Sequence, residues 1–273
     1  MDMLFNDPRV NKIKASELAY WLLSRGISTI TTDEIATLLS IPKNQVPQRL
    51  ASPKKRGEIV LLANGLWVPV PPDYKTWGAP PAIDVIDALM RHKNADYYVG
   101  WLSAAALHGA SHHAPQVFQV AVSHAIREKD FGRSRLRFYQ RNHVNLIKKA
   151  SFETKSGYAL VSTREMTLLD IACDISAVGG IDNAANLIIE LVEASSPDFD
   201  VLLDISKHYP TSAIRRLGYL MEQFTGASSL GRLQSISEER KAAISSLDPQ
   251  SANAGPIDKH WQLRINKEVS PDV

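Results

Sequence analysis

The chain has 273 residues, of which 44% are apolar and 22% charged, and a formal net charge of +2. This is ordinary globular composition, with chain enough for two domains and a sizeable core. No apolar run approaches a membrane span, the opening MDMLFNDPRVNKIK has no apolar signal core, and the one cysteine, Cys173, cannot form an internal disulfide. Membrane, secretory and disulfide-stapled classes drop out, and a cytoplasmic protein is expected.

The first predicted helix carries Ala15, Leu18, Trp21 and Leu22 on one face and stops near Gly26. The next opens on a capping box. The Thr31 hydroxyl can accept from the Glu34 amide while the Glu34 carboxylate reaches back to the Thr31 amide, with Ile30 and Ile35 as the hydrophobic staple. Ile35, Leu38 and Leu39 continue its apolar face. A third helix is expected over residues 45–52 with Asn44 as cap, because that start puts Pro47 in the first turn, where amides have no helical partner. Val46 and Leu50 then face inward, and Gln45, Gln48 and Arg49 face out. Asn64-Gly65, between β-rich runs at 59–63 and 66–70, is a strong hairpin signal.

Helix, turn, basic helix and hairpin in this order outline a winged helix-turn-helix, a module that reads double-stranded DNA. Charge agrees: residues 43–56 hold Lys43, Arg49, Lys54, Lys55 and Arg56 and no acid. Gln45, Gln48 and Arg49 are candidates for base edges, since amide and guanidinium groups bond adenine or guanine bidentately. Thr32, Lys43, Asn44, Lys54, Lys55 and Arg56 are candidates for phosphates, with Asn64 at the wing tip. A solvated helix beside an ordinary hairpin, or a winged helix that binds protein, would have the same outline.

Pro69, Pro71, Pro72, Pro80 and Pro81 cannot donate to a sheet, so residues 73–82 are expected to form a stiff extended linker. It would join a reader over 1–72 to a larger mixed α/β domain over 83–273, an α+β chain. Helices are expected over 83–90 and 98–107, the second ending at Gly109, and strands over 116–122, 136–140 and 157–161. Residues 127–149 are strongly basic and residues 150–273 acidic. Arg133, Arg135 and Arg137 alternate and would share a strand face. With Arg141, Lys148 and Lys149, beside Phe138 and Tyr139, they form a second basic surface. Such a surface can follow a nucleic-acid backbone, or be solvated, or pair with the acidic C-terminal half. Ser162 and Glu165 suggest a second capping box, with Val161 and Met166 as its staple. Helices over 182–194, 200–208 and 211–224, a loop over 246–256 and a last strand over 260–265 follow.

Little in the chain suggests catalysis. His108, His112 and His113 are spaced as metal ligands can be, but no Cys or carboxylate lies close in sequence, and His108 reads better as a helix-end cap. Asp170 and Asp174 share a helix face and could act as an acid–base pair. Exposed acids facing the arginine block are the simpler account. Cys173 reads as a small core residue. There is no phosphate loop, dinucleotide fingerprint, nucleophile elbow or nucleotidyltransferase signature. No metal, cofactor or catalytic residue is expected.

Several segments, taken together, resemble the AbiEi-type antitoxins of type IV toxin–antitoxin (abortive phage infection) systems. They are ANGLWVPVP, YYVGWLSAAALHG, the segment VSTREMTLLDI with Thr163, Glu165, Thr167, Leu168, Leu169 and Asp170, then RRLGYLMEQFT, and KHWQLRIN after LDP. The resemblance implies an autorepressor that binds inverted repeats in its own promoter through the winged helix. It also implies a C-terminal domain that opposes a nucleotidyltransferase toxin without a stable complex. The chain departs from the family at Pro47, which shortens the recognition helix. Two other readings fit the residues: a stand-alone regulator with a ligand-sensing C-terminal domain, and a nucleic-acid-processing enzyme using Asp170, Asp174 and the arginine strand.

Overall fold

A computed structural model describes residues 13–110, 116–227 and 230–272. Helices α1 (Leu18–Leu23) and α2 (Thr32–Leu39) flank the short strand β1 (Ile30–Thr31). The capping box forms: Thr31 Oγ1 accepts from the Glu34 amide at 3.2 Å, and Glu34 Oε2 accepts from the Thr31 amide at 2.7 Å. Ile30 and Ile35 are both buried beside it.

The third helix differs from expectation. Pro42, not Asn44, stands at its start, no side chain caps it, and it runs past Ser52. It is broken into a 3-10 turn over Lys43–Gln45, then α3 (Val46–Arg49) and α4 (Ala51–Lys55). Pro47 and Pro53 explain the breaks. Each lacks an amide, so each is tolerated only near the start of a helical piece. Val46, Leu50 and Pro53 are buried and anchor the broken helix.

Strands β2 (Ile59–Ala63) and β3 (Leu66–Pro69) form the Asn-Gly hairpin, and β1 joins β3 to complete an antiparallel sheet of order β1-β3-β2. Gly65 has φ +80°, which the turn requires. This hairpin serves two cores. Ile59 and Trp67 pack with Leu18, Leu22, Ile35, Leu38 and Leu50. Leu62, Leu66 and Val68 pack instead with Val85, Ile86 and Leu89 of α5 (Ala82–His92). Burying each such side chain stabilises by about 1.5–3 kcal/mol, so these three alone hold the halves together by several kcal/mol. Lys129 adds to the join: its Nζ donates to the carbonyls of Leu61 and Leu62 at 3.0 and 2.6 Å.

The proline-rich segment is not extended. Pro72–Trp77 is a 3-10 helix, and Pro81 stands at the N-cap of α5. Proline fixes φ near a value that a 3-10 turn accepts as readily as an extended chain does.

Beyond it lies a six-stranded mixed sheet of order β6-β7-β5-β4-β9-β8. Its strands are β4 (Tyr97–Val99), β5 (Val117–Val122), β6 (Lys129–Phe131), β7 (Ser134–Gln140), β8 (Ala150–Thr154) and β9 (Gly157–Val161). Side chains alternate across it. Tyr97 and Val99 join the α5 side, and Tyr98 joins the opposite side. That opposite face carries a helical layer, containing α7 (Arg164–Cys173), α8 (Ile181–Ala194), α9 (Phe199–Ser206), α10 (Thr211–Phe224) and α11 (Gly231–Glu239). The fold is α+β, with N-terminal helices and a larger C-terminal part, as expected.

Several boundaries are corrected. Residues 97–99 are a central strand, and helix α6 (Trp101–Leu107) starts only after Gly100 breaks the chain in extended geometry. Thr163, not Ser162, caps α7, its Oγ1 accepting from the Met166 amide at 3.3 Å. The Ser162 hydroxyl lies 2.6 Å from the Thr167 hydroxyl instead. Helix α11 has no counterpart in the expectations. The last strand shrinks to β12 (Leu263–Arg264), which lies between β10 (Ser245–Ser246) and β11 (Ile257–Asp258). This small sheet is pinned to α10 by Arg215, fully buried, which donates to the carbonyls of Ala242 and Ala243 and to Ser237 and Gln262.

Candidate nucleic-acid interface

The broken helix presents Asn44, Gln48, Arg49, Lys54 and Lys55 to solvent, while Gln45 is half-buried. The other residues expected at phosphates have partners inside the fold. Thr32 Oγ1 accepts from Trp67 Nε1 at 2.9 Å. Lys43 Nζ pairs with Asp33 at 2.8 Å across an exposed surface, a bond of little strength in water. Arg56 grips Glu58 through two bonds of 2.9 and 2.8 Å and donates to Ser52 at 2.7 Å, so Glu58 offsets its charge. The Asn64 side chain is exposed, but its carbonyl accepts from His92 Nε2 at 2.8 Å, which leans the hairpin tip on the end of α5.

Beside that tip opens a cleft of about 410 Å³ whose polar lining is Asn64, Lys93, His124, Arg127 and Lys129, with one acid, Glu128, among them. Burial, with smaller contributions from Lys93 and Lys54, pulls the Lys129 ammonium below its usual pKa. Cations from the broken helix, α5 and β6 therefore sense one another here. Lys93 and His124 escaped the sequence reading. Only the packing of α5 and the sheet edge against the hairpin brings them together, and no local pattern records that.

The second basic surface is partly neutralised. Arg133 lies in the β6–β7 turn, not on a strand face with Arg135 and Arg137. Arg135 pairs with Asp130 at 3.1 Å and Arg137 with Glu128 at 3.8 Å. Arg141 alone reaches the acidic half, bonding Asp174. Lys148 is exposed, and Lys149 is half-buried with its pKa lowered by burial.

Asp170 is not an exposed acid. It is fully buried, with Oδ1 accepting from the hydroxyls of Tyr98 at 3.1 Å and Tyr209 at 2.7 Å. Its Oδ2 has no hydrogen-bond partner among the described residues and faces Gly100, where a Cβ would stand 3.1 Å away. Burial pushes this carboxyl up to about 7. His143, whose Nε2 lies 3.2 Å from the Tyr98 hydroxyl, is pulled down to about 4 by burial and then by Arg141. Cys173 is pushed up to about 12 by burial, as suits an inert core thiol. His108 ends α6, as expected, and its Nε2 donates to the Ser162 carbonyl at 2.8 Å. His112 and His113 lie outside the described residues. Among the described residues there is no cluster fit to hold a metal, and no helix is long and apolar enough to cross a membrane.

Residues 98–223, which run from β4 to α10, match the family model of the AbiEi antitoxin C-terminal domain. This part of the chain is an AbiEi antitoxin C-terminal domain. The matched domain is named for an antitoxin, which supports an antitoxin role for the chain. The fold of the chain is similar to that of the RV2827C protein from Mycobacterium tuberculosis, at a TM-score of 0.66 and 18% identity over 91% of this chain and 90% of that one. An antigenic nucleotidyltransferase-like protein from Paracoccidioides brasiliensis aligns at a TM-score of 0.38 and 13% identity, over 61% of this chain and 95% of that one. That likeness is too low to carry an argument. No curated protein matches the chain.

Proposed function

We propose that this antitoxin is also a repressor that binds double-stranded operator DNA through a winged helix built from α2, the broken helix and the β2–β3 hairpin. The observation that carries the reading is the acid-free, exposed set Asn44, Gln48, Arg49, Lys54 and Lys55 on a helix whose other side is anchored by Val46, Leu50 and Pro53. Gln48 and Arg49 are assigned to base edges, with Asn44, Lys54 and Lys55 at phosphates. The cleft beside Asn64 extends the positive footprint. Arg135 and Arg137, already paired, contribute less than Arg127 and Lys148 to any second contact. From the family resemblance, the operator is an inverted repeat in the protein's own promoter. The opposed toxin is a nucleotidyltransferase, countered in the cytoplasm without a stable complex and without catalysis by this chain. The enclosure of Asp170 by Tyr98 and Tyr209 speaks against a substrate reaching it.

Fluorescence anisotropy with the upstream DNA and a scrambled duplex tests this reading. Tighter binding to the upstream DNA is expected, and Arg49→Ala should weaken it by about 1–3 kcal/mol while leaving the scrambled duplex nearly unaffected. Equal affinity of the unaltered protein for both duplexes would overturn the reading.

A further inference from the structure

A groove of about 350 Å³ runs between the 3-10 segment at Pro72–Trp77, the start of α5, the end of α6 and the end of the sheet. Its walls are Ile83, Leu107, Phe118 and Phe131, with Trp77 and Arg133 at the mouth. No acid lines it. The size suits a small ligand, since such sites run from about 300 to 1,000 Å³.

Two features of the mouth set it apart from a packing defect. Trp77 leaves 48% of its surface exposed, unusual for so large an apolar ring. Arg133 lies over that ring, its guanidinium carbon 5.6 Å from the centroid, and donates only a long 3.4 Å bond to the Thr76 carbonyl. Arg135, Arg137 and Arg141 each have a carboxylate partner; Arg133 has none among the described residues. Of these four arginines, the one left uncompensated is thus the one beside the open apolar groove. Gly132 makes this approach possible. At φ +59° it sits so close to the facing segment that a Cβ would be 2.8 Å from the Trp77 carbonyl.

We propose that this groove is a binding site for a small aromatic monoanion. The ligand's ring lies on Ile83, Leu107 and Phe118 with Trp77 closing over it, and its acidic group takes a charge-assisted bond from Arg133. One cation favours one negative charge: a polyphosphate would leave most of its charge uncompensated against an apolar wall.

Two probes test this on the full chain: 8-anilinonaphthalene-1-sulfonate, an aromatic monoanion, and N-phenyl-1-naphthylamine, its neutral counterpart. Fluorescence titration should show one saturable equivalent of the anionic probe. Arg133→Gln, a surface change, should weaken that probe about tenfold, or about 1.4 kcal/mol, and leave the neutral probe unchanged. Ala106→Phe, which fills the groove, should abolish binding of both. Absence of saturable binding, more than one equivalent, or anionic-probe affinity untouched by both substitutions would overturn the proposal. None of these outcomes depends on DNA binding.

Discussion

The buried pair Asp170 and His143 makes a pH prediction whose two parts have opposite sign. Asp170 moves from 3.8 in the open chain to about 7 in the fold. Between those values the native state holds a proton that the unfolded chain has released, so stability falls as pH rises. Three pKa units at about 1.4 kcal/mol each make this about 4 kcal/mol in total. His143 moves from 6.5 to about 4. Between those values the unfolded chain holds a proton that the native state lacks, so stability rises with pH, by about 3 kcal/mol in total. From about pH 4 to 6.5 the two slopes oppose each other, and the unaltered protein should look nearly insensitive to acid on their account. Asp170→Asn removes one slope. The amide keeps an oxygen to accept from Tyr98 and Tyr209 but cannot ionise. Urea unfolding of both proteins, followed by circular dichroism at pH 5, 6, 7 and 8, reads the difference. Relative to the variant, the unaltered protein should lose about 2 kcal/mol between pH 5 and 7 and only about 0.4 kcal/mol more by pH 8. Parallel profiles would refute the argument, because they would mean that Asp170 is solvated or ionised in the fold.

Two further perturbations test the packing. A Cβ at Gly218 would lie 2.1 Å from the Trp261 ring, so Gly218→Ala must displace either Trp261 or the small C-terminal sheet. Thermal melts should show a loss of at least 1–3 kcal/mol, roughly the usual penalty of overpacking, and near-unchanged stability would place Trp261 elsewhere. Lys129→Met removes the ammonium from the carbonyls of Leu61 and Leu62. It should cost about 1–3 kcal/mol and speed hydrogen exchange in β2, and unaltered exchange there would count against the clamp.

What could be read from the sequence was local. Thr31 and Glu34 make their capping box because both partners lie within one turn, and Asn64-Gly65 makes its hairpin because a two-residue loop dictates its own backbone. Tyr97–Val99 misled because a short strand buried on both faces has no polar alternation to set it apart from the helix that follows. Thr163 and Ser162 are equally good caps by type, and only the pairing of β9 decides between them. Four-residue spacing correctly put Asp170 and Asp174 on one face, but it cannot say whether that face looks inward. The basic cleft was beyond reach: Asn64 and Lys93 meet only through the packing of the hairpin against α5.

The hairpin with one side in each core has a consequence for any attempt to separate the halves. A fragment ending at residue 72 would carry Leu62, Leu66 and Val68 into water with nothing to cover them. A fragment beginning there would expose the matching surface of α5. Each should therefore be sticky and poorly folded, and loss of activity in such truncations would say little about which half held it. It also means that one proteolytic nick or one destabilising change in this hairpin disables both ends of the molecule at once, so the two halves have a single lifetime.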